Sequence, residues 1–367
     1  MAQLGDLTRA RDLVRRAARA FSPRESVARA RCIVAEAEIA LASRDLHWPT
    51  KALDAARVTL EDHGDHANAA HARYLEIRRL LLIGHIDAAA KRLSKPDAAP
   101  LPPALVTIRE LAVAGIAMRR IDTKAARTAL ARAHRAARHA GIPALLAEVE
   151  SAAHLLQAPA ARLIARGEER MLLLEDVEAL FDSNALVIDA CRYVVRAGRK
   201  VISLATRPVL FTLARALAEA WPKDVSRTVL VSRAFRGREA DESYRARLRV
   251  EIGRLRRVLQ PIAEVAATRE GFELTPRGAR RVVLLARVVD EEHAAVLAFL
   301  SDGEWWSSSA LALALSMSQR SVQRALDELA AAGKVQSFGR GRALRWMTPP
   351  LPGFTTTLLL PAPVSGN

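Results

Sequence analysis

Between Asp241 and Leu259 the chain reads as a helix with two very different sides. At 100° per residue, Leu248, Ile252, Leu255 and Leu259 fall on one narrow stripe that must face a core. The opposite side carries Arg247, Val250, Arg254 and Arg257, with Ser243 and Ala246 nearer its N-terminus. A guanidinium bonds guanine O6 and N7 in bidentate fashion, and a valine can touch a thymine methyl. Arginines that miss a base edge still reach phosphate oxygens. That side therefore has the chemistry of a major-groove reader. A second set lies further on. Gln319, Arg320, Gln323 and Arg324 flank the inward stripe Val322, Leu326 and Leu329. Glutamine suits adenine, and arginine suits guanine or phosphate. Arg340 and Arg342, in Gly339-Arg340-Gly341-Arg342, suit a minor groove or the backbone.

These side chains need a frame, and the flanking sequence supplies one. Residues 185–189, 191–196 and 201–204 read as short strands, with a turn at 197–200. Thr206 is expected to cap a helix that tolerates Pro208 in its first turn and ends at Trp221-Pro222. A second helix spans 226–235 before Gly237, and the third spans 241–259 before Pro261. Residues 264–268 and 272–274 then form a strand–turn–strand with Arg269 at its tip.

Strands, three helices and a hairpin in this order resemble the OmpR/PhoB-type winged-helix DNA-binding domain over residues 186–278. The segments 248–259 and 267–274 carry the resemblance. It implies that helix 241–259 enters the major groove with Val250 and Arg254 on base edges. Arg247 and Arg257 would serve as phosphate or mixed contacts. The hairpin would reach a minor groove or the backbone, with Arg269 as its wing arginine. Arg249 and Arg256 flank the core stripe and are weaker candidates.

From residue 290 a second pattern begins. Helices at 291–300, 307–315 and 319–333 precede a hairpin at 334–346. This resembles the generic bacterial helix-turn-helix with a wing, over 290–347. Direct DNA contact and a dimer or partner-docking role both remain open for it. The uncharged tail 348–367 reads as an extended segment.

The N-terminal part, 1–165, reads as helix after helix, broken at Ser22-Pro23, Gly64, Gly84, Pro96 to Pro103 and Gly141-Ile142-Pro143. Similar segments return at 8–21, 49–60, 85–93 and 122–137. Anchors separated by roughly 35–45 residues have the spacing of two-helix repeats. The run Arg79-Leu80-Leu81-Leu82-Ile83-Gly84, followed by Ile86 and Ala89, resembles a tetratricopeptide repeat. Such an array implies binding of a protein or small-molecule effector, or self-association. Residues 166–185 read as a linker helix. The expected fold class is mainly α: an antiparallel helical-hairpin solenoid followed by two α+β winged-helix domains.

Charge placement points the same way. The chain carries +16, and 49 of its 56 basic residues are arginine. GC-rich coding alone would inflate that number, so position matters more than total. Residues 186–280 hold 20 basic and 10 acidic groups, net +10, whereas 290–347 is net −1. A polyanion-binding surface requires such clustering and a merely solvated one does not. The receiver domain of response regulators has no counterpart in the helical N-terminal part, so phosphorelay control is not expected.

Cys32 and Cys191 cannot build a structural zinc site. His63, Asp65 and His66 read as solvated loop groups. Gly339–Arg342 lacks the Lys-Ser/Thr of a phosphate loop. No cofactor, no metal and no enzymatic activity are expected. No apolar run is long enough to span a bilayer, and the first residues lack a signal-peptide core. The expectation is a cytoplasmic, nucleoid-associated, homodimeric bacterial transcription regulator that binds double-stranded DNA. The alternative is a non-enzymatic adaptor whose winged helices dock protein.

Overall fold

The computed structural model describes residues 7–46, 48–235, 242–278, 281–288, 293–341 and 344–348. The chain is mainly helical, with fifteen helices and eleven strands among the described residues. No helix among them is long and apolar enough to cross a membrane. They divide into two compact units. One combines residues of 1–157 with those of 293–348, and the other holds those of 158–288.

The first unit opens with α1 (Leu7–Ala20), α2 (Ser26–Ala42), α3 (Thr50–Asp62) and α4 (His66–Leu82). It continues with α5 (Ile86–Leu93), α6 (Pro103–Arg120), α7 (Thr123–Ala140) and α8 (Pro143–Leu155). Each helix packs on the next, and α2, α4, α6 and α8 also pack on one another in turn. The four similar sequence segments fall on α1, α3, α5 and α7, so the repeat is a helical pair. Ala112, Ala114, Ala126, Ala129 and Ala133 are buried in α6 and α7, small side chains that let the two helices approach closely. The expected breaks separate helices, and two more occur at 43–49 and 121–122. There Arg44 (φ 50°) and Ile121 (φ 60°) take the left-handed conformation. Neither is glycine, so the composition gives no sign of these turns.

The segment 94–102 is held down by Asp97. Its carboxylate accepts from Tyr74 Oη at 2.7 Å, from Arg73, and from Arg109 at 3.4 Å. Burial and the Asp97 carboxylate push the Tyr74 phenol up to about 12. Asp65 caps α4 through the Asn68 amide and takes Arg31 at 2.7 Å, while His63 Nδ1 lies 2.8 Å from the Thr59 carbonyl. Among the described residues no group of three or more His, Cys, Asp or Glu could hold a metal ion.

The same unit includes α13 (Ala294–Leu300), α14 (Ser308–Leu315), α15 (Gln319–Ala331), β10 (Gln336–Phe338) and β11 (Arg345–Met347). Ser307 and Ser318 cap α14 and α15 through the Ala310 and Ser321 amides. Buried Trp306 bridges Trp346. Arg44 holds this module to the array: its guanidinium bonds Asp302 at 3.1 Å and lies 5.6 Å over the Trp306 ring. Of the expected extended tail only Thr348 is described, with its Oγ1 donating to Leu300 O at 2.9 Å; 349–367 lies outside the described residues.

The second unit corrects the sequence reading at both ends. Helix α8 ends at Leu155, so the array does not continue to 165. Residues 166–185 are not a linker helix. β1 (Ala161–Ala165) and β2 (Glu168–Leu172) form a hairpin, and α9 (Leu174–Asp182) follows. The hairpin closes on Arg166-Gly167, both at positive φ (55° and 85°). That geometry usually announces itself as Asn-Gly, and arginine in first place hides it. Residues 281–286, which the sequence reading assigned to no element, form β9 (Arg281–Ala286).

β9 sits at the middle of a six-stranded sheet of order β2-β1-β9-β3-β4-β5, with β3 (Ala185–Asp189), β4 (Val194–Ala197) and β5 (Lys200–Ser203). Among the described strands only β3 and β9 run parallel. Successive side chains of both strands are buried; α10 (Pro208–Ala220) packs on β3 and β9, and α9 packs on β3 and β2. β4 starts three residues later than expected, because 190–193 turn with Tyr193 at φ 57°. Fully buried Asp189 fixes that turn by accepting from the Cys191 and Arg192 amides at 2.9 and 3.1 Å. Burial pushes the Asp189 carboxyl up. Arg207, not Thr206, occupies the N-cap of α10, and it makes no side-chain cap bond.

β6 (Val225–Ser226), α11 (Arg227–Phe235), α12 (Glu242–Leu259), β7 (Ala263–Ala267) and β8 (Gly271–Pro276) complete the unit, with strand order β6-β8-β7. Leu248, Ile252, Leu255 and Leu259 of α12 enter one core with Leu213 and Leu217 of α10. Gly271 is obligatory: a Cβ there would sit 1.7 Å from the Val225 carbonyl oxygen.

Candidate nucleic-acid interface

Helix α12 buries its leucine–isoleucine stripe at 2% exposure or less and turns its other side outward. Arg247, Arg254 and Arg257 are exposed, and Val250 is 54% exposed, an isolated apolar group among guanidinium groups. The Arg247 guanidinium stacks 4.6 Å over the Phe235 ring, which itself stacks on Tyr244 at 5.9 Å. Arg254 bonds Glu251 at 2.7 Å. Arg254 and Arg257 line a groove of about 500 Å³ with Glu251 and the start of α10, Arg207 to Leu210.

The two weaker candidates are used within the fold. Arg249 bonds Glu242 at 3.0 Å. Arg256 donates from Nε to the Val265 carbonyl at 2.6 Å, tying α12 to β7.

Arg269 lies exposed in the turn between β7 and β8. Its carbonyl accepts from Arg227 at 3.0 Å, and the second arm of the same guanidinium reaches Thr268 O at 3.1 Å. Thr268 Oγ1 accepts from the Gly271 amide at 2.9 Å and donates to Asp224. Arg227 thus sets the tip that presents Arg269. Sequence reasoning missed Arg227, Phe235 and Arg207, since each acts across 12 to 50 residues of chain and has no local pattern.

The other predicted residues belong to the first unit. Arg320 and Arg324 are exposed on α15, with Arg324 3.6 Å from Glu328. Gln323 is half-buried and donates to Asp327 at 3.0 Å. The His293 imidazole, 2.6 Å away, holds the Glu328 carboxyl below its usual range. Arg340 is exposed at the β10–β11 tip, and Arg342 lies outside the described residues. The structure thus groups Arg247, Val250, Arg254 and Arg257 on one helix side, with Arg269 in the same unit. The set from 320 to 340 stands on a separate module.

A cavity of about 480 Å³ opens among α2, α4, α6 and α8. Glu38, His71, Arg78 and Glu148 line it among apolar groups. His71 lies 3.9 Å from Glu38, and Arg78 pairs with Glu148. Burial pushes the His71 imidazole down.

No protein-family model matches the chain, and comparisons with curated proteins and with solved structures find no match.

Proposed function

We propose that the chain is a sequence-specific, double-stranded-DNA-binding regulator. In this reading 186–278 is a winged helix of OmpR/PhoB type, extended by β1, β2 and β9. Residues 290–347 form a second winged helix, and the N-terminal array is a tetratricopeptide-like solenoid. The carrying observation is α12: its apolar stripe is fully used in the core, while Arg247, Val250, Arg254 and Arg257 face outward. Bidentate arginine and an exposed valine are a base-edge set. Net +10 over 186–280 supplies the phosphate attraction. The array cavity, with both charge signs and an apolar floor, fits an amphipathic effector.

The test is selection of genomic fragments by the purified chain, then fluorescence anisotropy on the selected duplex. Affinity should fall by about 10³-fold or more between about 50 and 200 mM salt if six or more phosphates are engaged. Arg247→Ala with Arg254→Ala should abolish selection. Binding that survives the double substitution, or that ignores salt, favours the adaptor reading.

A further inference from the structure

Strand β7 lies at an open edge of the β6-β8-β7 sheet. Bonds from Thr268 N to Gly271 O (3.0 Å) and from Arg277 N to Ile262 O (2.9 Å) close the two ends of its ladder with β8. In an antiparallel pair such bonds recur at every second residue, so Glu264 and Ala266 are the ones that bond β8 between those ends. The backbone groups of Val265 and Ala267 therefore point away from β8. The one partner they meet among the described residues is Arg256, whose Nε donates to Val265 O at 2.6 Å. An edge of this kind is a template for an added strand.

A groove of about 540 Å³ runs along this edge, lined by β7 and by Arg256, Arg257, Gln260 and Arg277. Ala263 and Val265 turn into the core shared with α12, so Glu264 and Ala266 lie on the other face. The two faces differ in charge. On the α12 side stand Arg256 and Arg257 with neutral Gln260. On the other, Glu264 pairs with Arg277 at 3.3 Å, and Glu273 stands opposite Ala266. At the turn Arg269 and Glu270 carry opposite charges. The cationic side favours an acidic guest, and Arg256 supplies the means. A guest carboxylate holds a guanidinium more tightly than a carbonyl does, so it draws Arg256 off the edge and frees Val265 O for pairing. An uncharged strand offers nothing in exchange. The side chains of 348–367 are all uncharged, so the chain's own tail does not match this groove. A duplex offers anionic phosphates but no row of backbone amides and carbonyls.

We infer that the β7 edge binds an extended acidic peptide of another protein by strand addition, with the acidic side chains at alternate positions toward α12. This goes beyond the DNA-binding reading and does not depend on it.

The experiment follows the fluorescence anisotropy of a labelled, alternating Glu-Val peptide of about eight residues, titrated with the full chain. The peptide should bind, and its counterpart with glutamine for glutamate should bind about tenfold more weakly or worse. Methylating one alternating set of peptide amides should abolish binding, while methylating the other set is tolerated, because a strand turns only one set to its neighbour. Amide hydrogen exchange at Val265 and Ala267 should slow when the peptide binds. Ala267→Pro removes an outward amide without touching a bond to β8, and should weaken peptide binding about fivefold. The methylated peptides test the same contact on the wild-type chain if that variant does not fold. No binding at about 1 mM peptide overturns the inference. So does equal binding of the two methylated peptides, or of the glutamine peptide. Tighter peptide binding after removal of 349–367 would make the tail the occupant and overturn it. A loss of duplex affinity in Ala267→Pro as large as the loss for peptide would make the edge a nucleic-acid contact, with the same consequence. A chain that binds the peptide as described but binds no duplex would leave this inference standing and the proposed function fallen.

Discussion

The Arg247 guanidinium lies 4.6 Å over the centre of the Phe235 ring, which joins the last turn of α11 to the outward side of α12. An arginine so restrained loses less side-chain freedom when it meets a phosphate or a base. Phe235 is thus a positioning residue for Arg247. Phe235→Leu should weaken duplex binding about threefold to tenfold, in keeping with a cation–π contact of roughly 1 kcal/mol. The charge remains, so the slope of log K against log salt should stay as in wild type. Arg247→Ala should lower both affinity and slope. A Phe235→Leu protein with wild-type affinity would show that the stack does not matter.

Arg254 presents a second relationship with a measurable sign. Its partner Glu251 is 13% exposed and 2.7 Å away, so the carboxylate sits beneath the guanidinium on the side expected to meet DNA. Glu251→Gln removes a charge that repels phosphate and releases Arg254. Binding should tighten severalfold, and the salt slope should steepen by up to about one. Weaker binding on titration would mean that Glu251 orients Arg254 for readout, in which case discrimination between selected and random duplexes should also fall.

The parts of this molecule that could be read in advance are those with local causes. The α12 stripe at 248, 252, 255 and 259 repeats with the helix, so its burial and the exposure of Arg247 and Arg257 follow from one periodicity. The four similar segments were legible for the same reason. β9 was not, because its place between β1 and β3 depends on pairing with strands roughly 100 residues away in sequence, and Val282–Ala286 is a plain apolar run. The β1–β2 hairpin hid behind Arg166. The ties that set the interface, Arg227 to the hairpin turn and Arg256 to Val265, use residues that composition marks only as more arginine.

Gly271 makes a strict prediction about the hairpin that carries Arg269. Any side chain there meets the Val225 carbonyl at 1.7 Å, and backbone cannot yield as a side-chain end can. Gly271→Ala must therefore separate β6 from β8. The expected loss is about 3 kcal/mol or more, at the upper end of overpacking costs. Thermal unfolding should show it, whereas Gly253→Ala on the open side of α12, with nothing within 4 Å, should stabilise by a few tenths of a kcal/mol up to about 1.

His71 gives the first unit an acid sensitivity whose sign follows from its surroundings. Burial holds its imidazole below the ordinary value of 6.5, Arg78 adds to that, and Glu38 opposes it. The folded chain therefore resists a proton that the unfolded chain accepts. The contribution to stability is intact above pH 6.5 and is lost as pH falls from there toward the depressed folded value. Between about pH 7.5 and 5.5 the wild-type melting temperature should drop further than that of His71→Gln. The difference between the two proteins should vanish above neutrality apart from a constant packing offset. An effector that offers a carboxylate to His71 would reverse the trend, since it stabilises the imidazolium, so a ligand-induced rise in Tm that grows on acidification would place the effector against this side chain. Parallel curves for wild type and His71→Gln would show instead that the imidazole titrates as freely in the folded chain as in the unfolded one.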